Sequence, residues 1–382
     1  MLYVGIDLHK KSITICVVNQ ERQKVEQKRF ACSTPEIIVA FFKKLGVFQG
    51  VVEATASYEW LVRLLEPLAE RIVLAHPKKL RVIAESTRKS DKIDARLLAE
   101  FLALDMIPQA YRPTPRQREH RVLVRQRCYL QRRITSIRNK IRRILSDYNA
   151  DRPDLFTAAG LEYLAQVQLS TADRFAVKQL LAEFEFQQSS LEGLAVELKK
   201  FVAAAPAAEA EARALLQSIP GVGPVTTEVV LSELADPKRF RSAKCVVAYA
   251  GMAPGQRESA GKRKELHIER TGSKLLRWVL VEAAWQLVRR TGRWRVTFER
   301  LGARIGRKKA IIAIARRLLT VMMALLKSGQ PYQHAYEPEP AEPPKEKPGE
   351  KPAAEKPVGK KAAQPKPTHV VTKAPKESKE HK

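Results

Sequence analysis

Apolar and polar residues alternate in short runs along the first hundred positions, and polar turns bound each run. LYVGIDL (2–8), SITICVVN (12–19) and KVEQKRFAC (24–32) read as three successive strands joined by short turns. GVVEAT (50–55) and RIVLAH (71–76) read as two more, separated by the helical SYEWLVRLLEPLAE (57–70). Three hairpin-like strands followed by alternating helices and strands predict a mixed α/β sheet over residues 1–105. The period then changes. Residues 112–150 read as one long helix, with Leu123, Leu130, Ile134, Ile137, Ile141 and Ile144 on a seam of mostly 4–3 spacing, as in a coiled coil. Residues 155–205 are amphipathic and helical. Residues 210–330 are mostly helical, interrupted by a Gly- and charge-rich loop near 253–272. The expected division is an α/β domain (1–105), a helical coiled-coil and linker region (106–205), a mostly helical C-terminal domain (206–330) and a tail (331–382).

The tail differs in composition. It holds 11 of the 23 prolines and 11 Lys against 8 Glu, with almost no large apolar residue. It cannot bury enough surface to offset its ordering entropy and is expected to be disordered. Its own charge of +3 leaves +25 of the chain's +28 on residues 1–330. Such a balance favours a polyanionic partner, nucleic acid above all. No apolar run is long enough to span a bilayer, and MLYVGIDLHKK lacks the charge order of a signal peptide. Cys16, Cys32, Cys128 and Cys245 form no CxxC pair, which argues against zinc and against a disulfide framework and fits a reducing, cytoplasmic setting.

Carboxylates fall at strand ends. Asp7 closes the first strand in GIDLHK, and Glu53 closes a later one in VVEAT. Asp91 and Asp94, in KSDKIDARLLAEFLA, open a helix, and their three-residue spacing puts them on one face. Acids converging at the ends of apolar strands suit a hard divalent cation such as Mg²⁺ or Mn²⁺. Paired metals of that kind run phosphoryl transfer. Taken singly, each acid has a plainer reading: Asp91 as a helix cap, Glu53 as a solvated strand end.

The order of Asp, Glu and then Asp-x-x-Asp resembles the DEDD site of RuvC-like, ribonuclease-H-fold nucleases. GIDLHK, VVEATASYEWL and KSDKIDARLLA are similar to the N-terminal motifs of the IS110 family of insertion-sequence transposases. IPGVGPVTTEVVLSEL, AYAGMAPGQRESAGKRK and GSKLLRWVLVEAA resemble that family's C-terminal transposase domain, so the likeness runs over roughly residues 3–330 in one order. The resemblance implies DNA recombination by Asp7, Glu53, Asp91 and Asp94 with a C-terminal serine, in an oligomer guided by a structured RNA. The matching serine is Ser259, five residues after Pro254; Ala260 follows it where the family has glycine. Gly251, Gly255 and Gly261 suggest a flexible loop around it, and Arg257, Lys262, Arg263 and Lys264 suit phosphates. No His or Asp adjoins Ser259 in sequence, so its activation would come from the distant carboxylates in a composite site.

Two further segments suit nucleic acid. Between Arg112 and Arg143 the long helix carries 11 Arg and one Lys against Glu119 alone, with Arg125, Arg132 and Arg138 as representative phosphate contacts. A solvated helix face is the plainer account. The apolar seam calls for a helical partner, either a second protomer or the 155–205 helices. IPGVGP reads as a glycine turn opening a helix, half of a helix-hairpin-helix element; Gly221 and Gly223 would let backbone N–H groups approach a phosphate. His9, His76 and His267 lack ligand spacing.

Three other functions compete with a transposase. A junction-type nuclease would use the carboxylates alone. An actin-like sugar kinase needs a Gly-rich phosphate turn where His9, Lys10 and Lys11 stand. A non-catalytic binding protein has no need of all four acids.

Overall fold

The computed structural model describes residues 1–55, 57–83, 91–259, 262–269 and 271–333. The expectation for the tail lies outside the described residues from position 334 onward. Residues 1–334 form one compact unit.

The five expected strands are all present: β1 (Leu2–Leu8), β2 (Ser12–Val18), β3 (Lys24–Ala31), β4 (Phe48–Glu53) and β5 (Arg71–Ala75). They form one sheet in the order β3-β2-β1-β4-β5. β2 is antiparallel to β1 and β3, while β4 and β5 run parallel to β1. The hairpins need only short turns, whereas each parallel step needs a crossover helix. Those helices are α1 (Pro35–Leu45), between β3 and β4, and α2 (Glu59–Leu65), between β4 and β5.

Alternation along the central strands fills two layers. Val4, Ile6, Ile13, Ile15, Val17 and Val52 meet Ile38, Phe42, Leu61 and Leu65 of α1 and α2. The opposite face is covered by α4 (Asp91–Ala103), which follows the short α3 (Pro77–Ile83). There Cys16 and Val18 meet Ala95 and Ala99, and Val51 and Val73 meet Leu98 and Leu102. Both faces of the central strands are thus buried, as parallel strands require.

The long helix is α5 (Pro115–Ser146), capped by Thr114 in a capping box with Gln117. Its lower half, Ile134, Ile137, Ile141 and Leu145, packs on α6 (Ala158–Gln166) and α7 (Thr171–Ala203) through Leu164, Val177 and Phe184. The seam's helical partner is therefore within the chain. Its upper half, Val124 and Cys128, packs on Val229, Leu275 and Val279. The seam shifts slightly from the expected one, because Leu123 is only half-buried while Val124 is buried.

The C-terminal part holds α8 (Ala207–Gln217), α9 (Pro224–Leu234), α10 (Ala243–Tyr249), α11 (Lys274–Arg290), α12 (Gly292–Ile305) and α13 (Arg307–Ser328) around one core. The segment expected as a loop near 253–272 is instead largely an antiparallel ribbon, β6 (Pro254–Ser259) with β7 (Lys262–Ile268). Its residues are mostly polar and charged, with only Leu266 and Ile268 as an alternating apolar pair, too short a signal for hydropathy to mark it as strand.

Candidate active site and nucleic-acid surfaces

Two strand ends define one corner of the sheet. β1 and β4 run parallel with Ile6 beside Val52, so Asp7 and Glu53 are the next positions on neighbouring strands. By alternation both fall on the face that α4 covers. Asp7 keeps only 14% of its side chain exposed, and its Oδ2 lies 3.0 Å from His9 Nε2. Glu53 is half-buried.

Helix α4 crosses this face tightly because Gly5 has no side chain. A Cβ there would fall 1.9 Å from the Ala95 carbonyl oxygen and 2.5 Å from the Ala99 nitrogen. Tyr3, near the start of β1, and Ala103, at the C-terminal end of α4, both pack against the cluster of Cys16, Val18, Ala95 and Ala99. The helix therefore runs antiparallel to the strand, and its first turn heads for the strand's end. One turn back from Ala95 is position 91, and one turn back from Leu98 is position 94. Two residues on from Gly5 is Asp7, and two on from Val51 is Glu53. One stripe of α4 thus leads from Ala95 toward the Asp7 end, the other from Leu98 toward the Glu53 end. Asp94 is exposed; the side chain of Asp91 lies outside the described ones. Among the described residues, no three His, Cys, Asp or Glu side chains are grouped so as to hold a metal.

Thr14 adds a group that sequence reasoning missed. It pairs with Asp7 across β1 and β2, is 2% exposed, and its Oγ1 has no hydrogen-bond partner among the described residues. A buried hydroxyl without a partner is costly, and a bound water or ion is one way to satisfy it. Nothing in the sequence distinguishes Thr14 from an ordinary strand threonine.

Ser259 is the last residue of β6 and pairs with Lys262, the first of β7. It stands at the tip of a ribbon and not in a glycine loop. Arg257 pairs with Lys264, and Glu258 with Arg263, so positions 257, 259, 262 and 264 share one face of the ribbon, while 263 falls on the other. The side chains of Arg257, Ser259, Lys262 and Arg263 lie outside the described ones. Among the described residues the ribbon's close packing is between its own two strands.

The arginine stripe is partly an internal scaffold. Arg125 binds both carboxylate oxygens of Glu233 at 2.9 and 3.1 Å, and the Glu233 side chain is 2% exposed. Arg138 lies over the rings of Phe156 and Phe184, 5.0 and 5.1 Å from their centroids. Arg116 pairs with Glu209, Arg112 with Glu59 and Glu66, Arg133 with Glu183, and Arg142 with Asp151. The acids missing from the stripe itself come from elsewhere in the fold. Arg125 is thus tied to Glu233 while its side chain stays 58% exposed, Arg138 is half-buried over its rings, and Arg132 is exposed.

A buried cluster underlies the same helix. His120 Nε2 lies 2.7 Å from Glu228 Oε2, and Arg213 donates to both Glu228 oxygens at 2.8 and 3.2 Å. Burial alone would raise the pKa of Glu228, but hydrogen bonds from His120 and Arg213, with their charges, hold it below the usual carboxylate range. His120 stacks on Phe201. This cluster was not anticipated, since its members are 108 residues apart in sequence.

The glycine turn divides into two roles. Gly221 has φ +82°, and a Cβ there would come within 2.9 Å of Gln286 Cβ, so it is required for packing against α11. Gly223 is the N-cap of α9, and nothing lies within 4 Å of where its Cβ would be. Gly223 is exposed and Gly221 half-buried.

Strand order 3-2-1-4-5, with the second strand reversed and acids at the ends of the first and fourth, defines the α/β ribonuclease-H-like class. Comparison with known proteins specifies it further. Residues 4–150 match the model of the DEDD transposases of the IS110 type, and residues 213–299 match that of the transposase IS116/IS110/IS902 family. Together they span more than half of the chain. The chain is similar to a putative transposase (y4pF/y4sB) of Sinorhizobium fredii, 27% identical over 88% of this chain and 86% of that one. It is 25% identical to the transposase for insertion sequence element IS1111A of Coxiella burnetii, over 86% of this chain and 91% of that one. It is 24% identical to the pilin gene-inverting protein of Moraxella lacunata, over 86% of this chain and 97% of that one. The chain belongs to the IS110 family of transposases, enzymes that cut and rejoin DNA. Among the described residues no helix is long and apolar enough to cross a membrane.

Proposed function

We propose that Asp7, Glu53, Asp91 and Asp94 hold divalent metal, Mg²⁺ or Mn²⁺, and that Ser259 is the nucleophile of strand transfer. The observation that carries this reading is the close seat of α4 on β1 at Gly5, with Asp7 and Glu53 at the ends of adjacent strands on that face. The donor set fits a hard cation, being all carboxylate oxygen, and the partnerless Thr14 hydroxyl beside Asp7 fits a polar occupant. Bound divalent metal supplies Lewis-acid stabilisation of the phosphoryl oxygens and lowers the pKa of the attacking group. The chain's own residues do the rest. Asp7 is held by the ladder and by His9, which fixes its carboxylate without further reorganisation. Ser259 Oγ bonds to phosphorus as the strand's P–O bond breaks; the proton passes from the serine to the departing hydroxyl through the site's bases. The resulting ester conserves the phosphodiester energy needed for rejoining. A serine hydroxyl is a poor nucleophile at neutral pH, and no His or Asp adjoins Ser259 in sequence, so the ribbon tip must meet the carboxylates in a composite site. A second protomer and a structured guide RNA, in a cytoplasmic oligomer on target DNA, are the partners this reading implies. Residues 1–105 then form the catalytic domain, 106–205 a coiled-coil and linker region, and 206–330 a transposase domain with a helix-hairpin-helix-like element at Gly221–Gly223.

The test is Asp7→Asn. Strand cleavage in Mg²⁺ should be lost while DNA binding changes less than about threefold, because the substitution removes a ligand charge away from the basic helix. Full cleavage by the variant would refute the metal role. A nuclease that cuts with water and never joins would favour the carboxylate-only alternative.

A further inference from the structure

An open groove of about 1130 Å³ runs along the side of α5, bordered by α7 and by the first turns of α11. It exceeds the ~300–1,000 Å³ of small-ligand pockets. Five cations line it: Arg127, Arg132, Lys140, Arg143 and Lys274. Among the described residues lining it there is no carboxylate; the nearby Asp147 pairs with Arg143 at its far end. Gln131, Thr135, Ser136 and Asn139 supply amides and hydroxyls along the wall. Trp278 stands among these groups with 46% of its surface exposed. It sits on α11 one turn after Lys274, beside Val279, which anchors the helix to Val124 and Cys128. The ring is therefore presented from a rigid base.

We infer that this groove binds an unpaired nucleotide strand, with Trp278 as the stacking platform for a base and the cations following the backbone. The inference rests on the reading of the chain as a DNA-processing enzyme and deepens it. Three features favour this occupant. Cations in excess of acids match a polyanion. An exposed indole amid cations is costly in water yet suits the flat face of a base, which is accessible only where the base is unpaired. Amides and hydroxyls satisfy base edges, and in RNA the 2′-hydroxyl as well. Arg127 also lines a separate, smaller cleft with Pro224, Val225 and Glu228 at the start of α9. An acidic protein segment would meet the cations but has no use for the indole.

The experiment uses the full chain and fluorescein-labelled oligonucleotides at fixed salt, read by anisotropy: a dT strand, a U strand of the same length and a matched DNA duplex. Trp278→Ala should weaken single-strand binding by about 5- to 150-fold, the loss expected when one base loses its aromatic partner. Trp278→Phe should recover most of it. Duplex affinity should change less than about twofold. The dT and U arms distinguish a DNA source from an RNA source. A second measurement needs no variant: irradiation of wild type with a strand carrying 5-iodouridine should give an adduct on the peptide that contains Trp278. Equal losses for strand and duplex, no loss for either strand, an adduct mapping elsewhere, or competition by polyglutamate as effective as by dT would each overturn the inference. The metal and serine roles are tested separately by cleavage, so a groove that fails this test leaves them standing.

Discussion

Thr14 stands directly across the β1–β2 ladder from Asp7, buried, with its hydroxyl lacking a hydrogen-bond partner among the described residues. The hydroxyl contributes nothing to the fold that a methyl group would not. Thr14→Val should therefore leave the thermal midpoint unchanged or slightly raised, because replacing an unpaired buried polar group by an isosteric apolar one is near neutral. If the hydroxyl serves the carboxylates, the same variant weakens Mn²⁺ binding by about 10- to 100-fold, the range seen for groups that support metal ligands. Thr14→Ser should restore it. Calorimetric titration with Mn²⁺ reads the effect, and unchanged affinity in Thr14→Val would make the residue a packing threonine.

Arg213 is the main support of the buried Glu228 carboxylate. Arg213→Met should cost about 3–5 kcal/mol, since removing one partner strands a buried charge; urea unfolding measures it. The pH dependence follows from the direction of the shift. Glu228 has its folded pKa depressed, as do Glu209, through its hydrogen bond from Arg116, and Glu59, where hydrogen bonds from Arg112 and Arg63 outweigh burial. Their stabilisation is fully present above the unfolded carboxylate value of about 4.3 and is lost as pH falls through the folded values. Wild type should hold its midpoint from pH 7 to about 5 and lose stability below about pH 4.3, and Arg213→Met should lose less over that acid range. A parallel acid profile in the two proteins would dissociate the cluster from acid lability.

The basic helix separates into cations that build the protein and cations that face outward. Arg132→Gln with Lys140→Gln should lower the slope of log affinity against log salt by up to about 2, each removed phosphate contact accounting for ~0.9 on duplex DNA. Arg138→Gln should leave the slope unchanged and lower the thermal midpoint, because its guanidinium packs on Phe156 and Phe184. An unchanged slope in the double variant would return the whole stripe to a solvated helix face.

That division shows where sequence reading stops. The five strands were legible because each alternates or runs apolar over its length, and β1 begins and ends where the pattern LYVGIDL does. The strand-end acids were legible because Asp7 and Glu53 interrupt apolar runs. The tightness of α4 on β1 was not, since Gly5 reads as a strand glycine until Ala95 and Ala99 are placed against it. The ribbon carrying Ser259 is not legible because its residues are mostly polar and charged, with no sustained hydropathy alternation. The neutralisation of Arg125 by Glu233, and of Glu228 by Arg213 and His120, joins distant segments through tertiary packing that no local pattern announces. Trp278 lies within the motif GSKLLRWVLVEAA, but its exposure beside Lys140 and Arg132 depends on how α11 meets α5.

The central claim is that this transposase joins DNA through Ser259, with the carboxylates of the sheet acting on the same phosphate. A nicked suicide substrate, which traps the joined state by releasing the short leaving strand, tests it on the full chain with its nucleic-acid partners in Mg²⁺. Wild type should form a covalent protein–DNA adduct, resistant to denaturant, that maps by mass spectrometry to Ser259. Ser259→Ala and Asp7→Asn should form none while binding the same DNA. An adduct that persists in Ser259→Ala, or normal recombination by wild type without any adduct, would contradict the account and leave a carboxylate-only mechanism in its place.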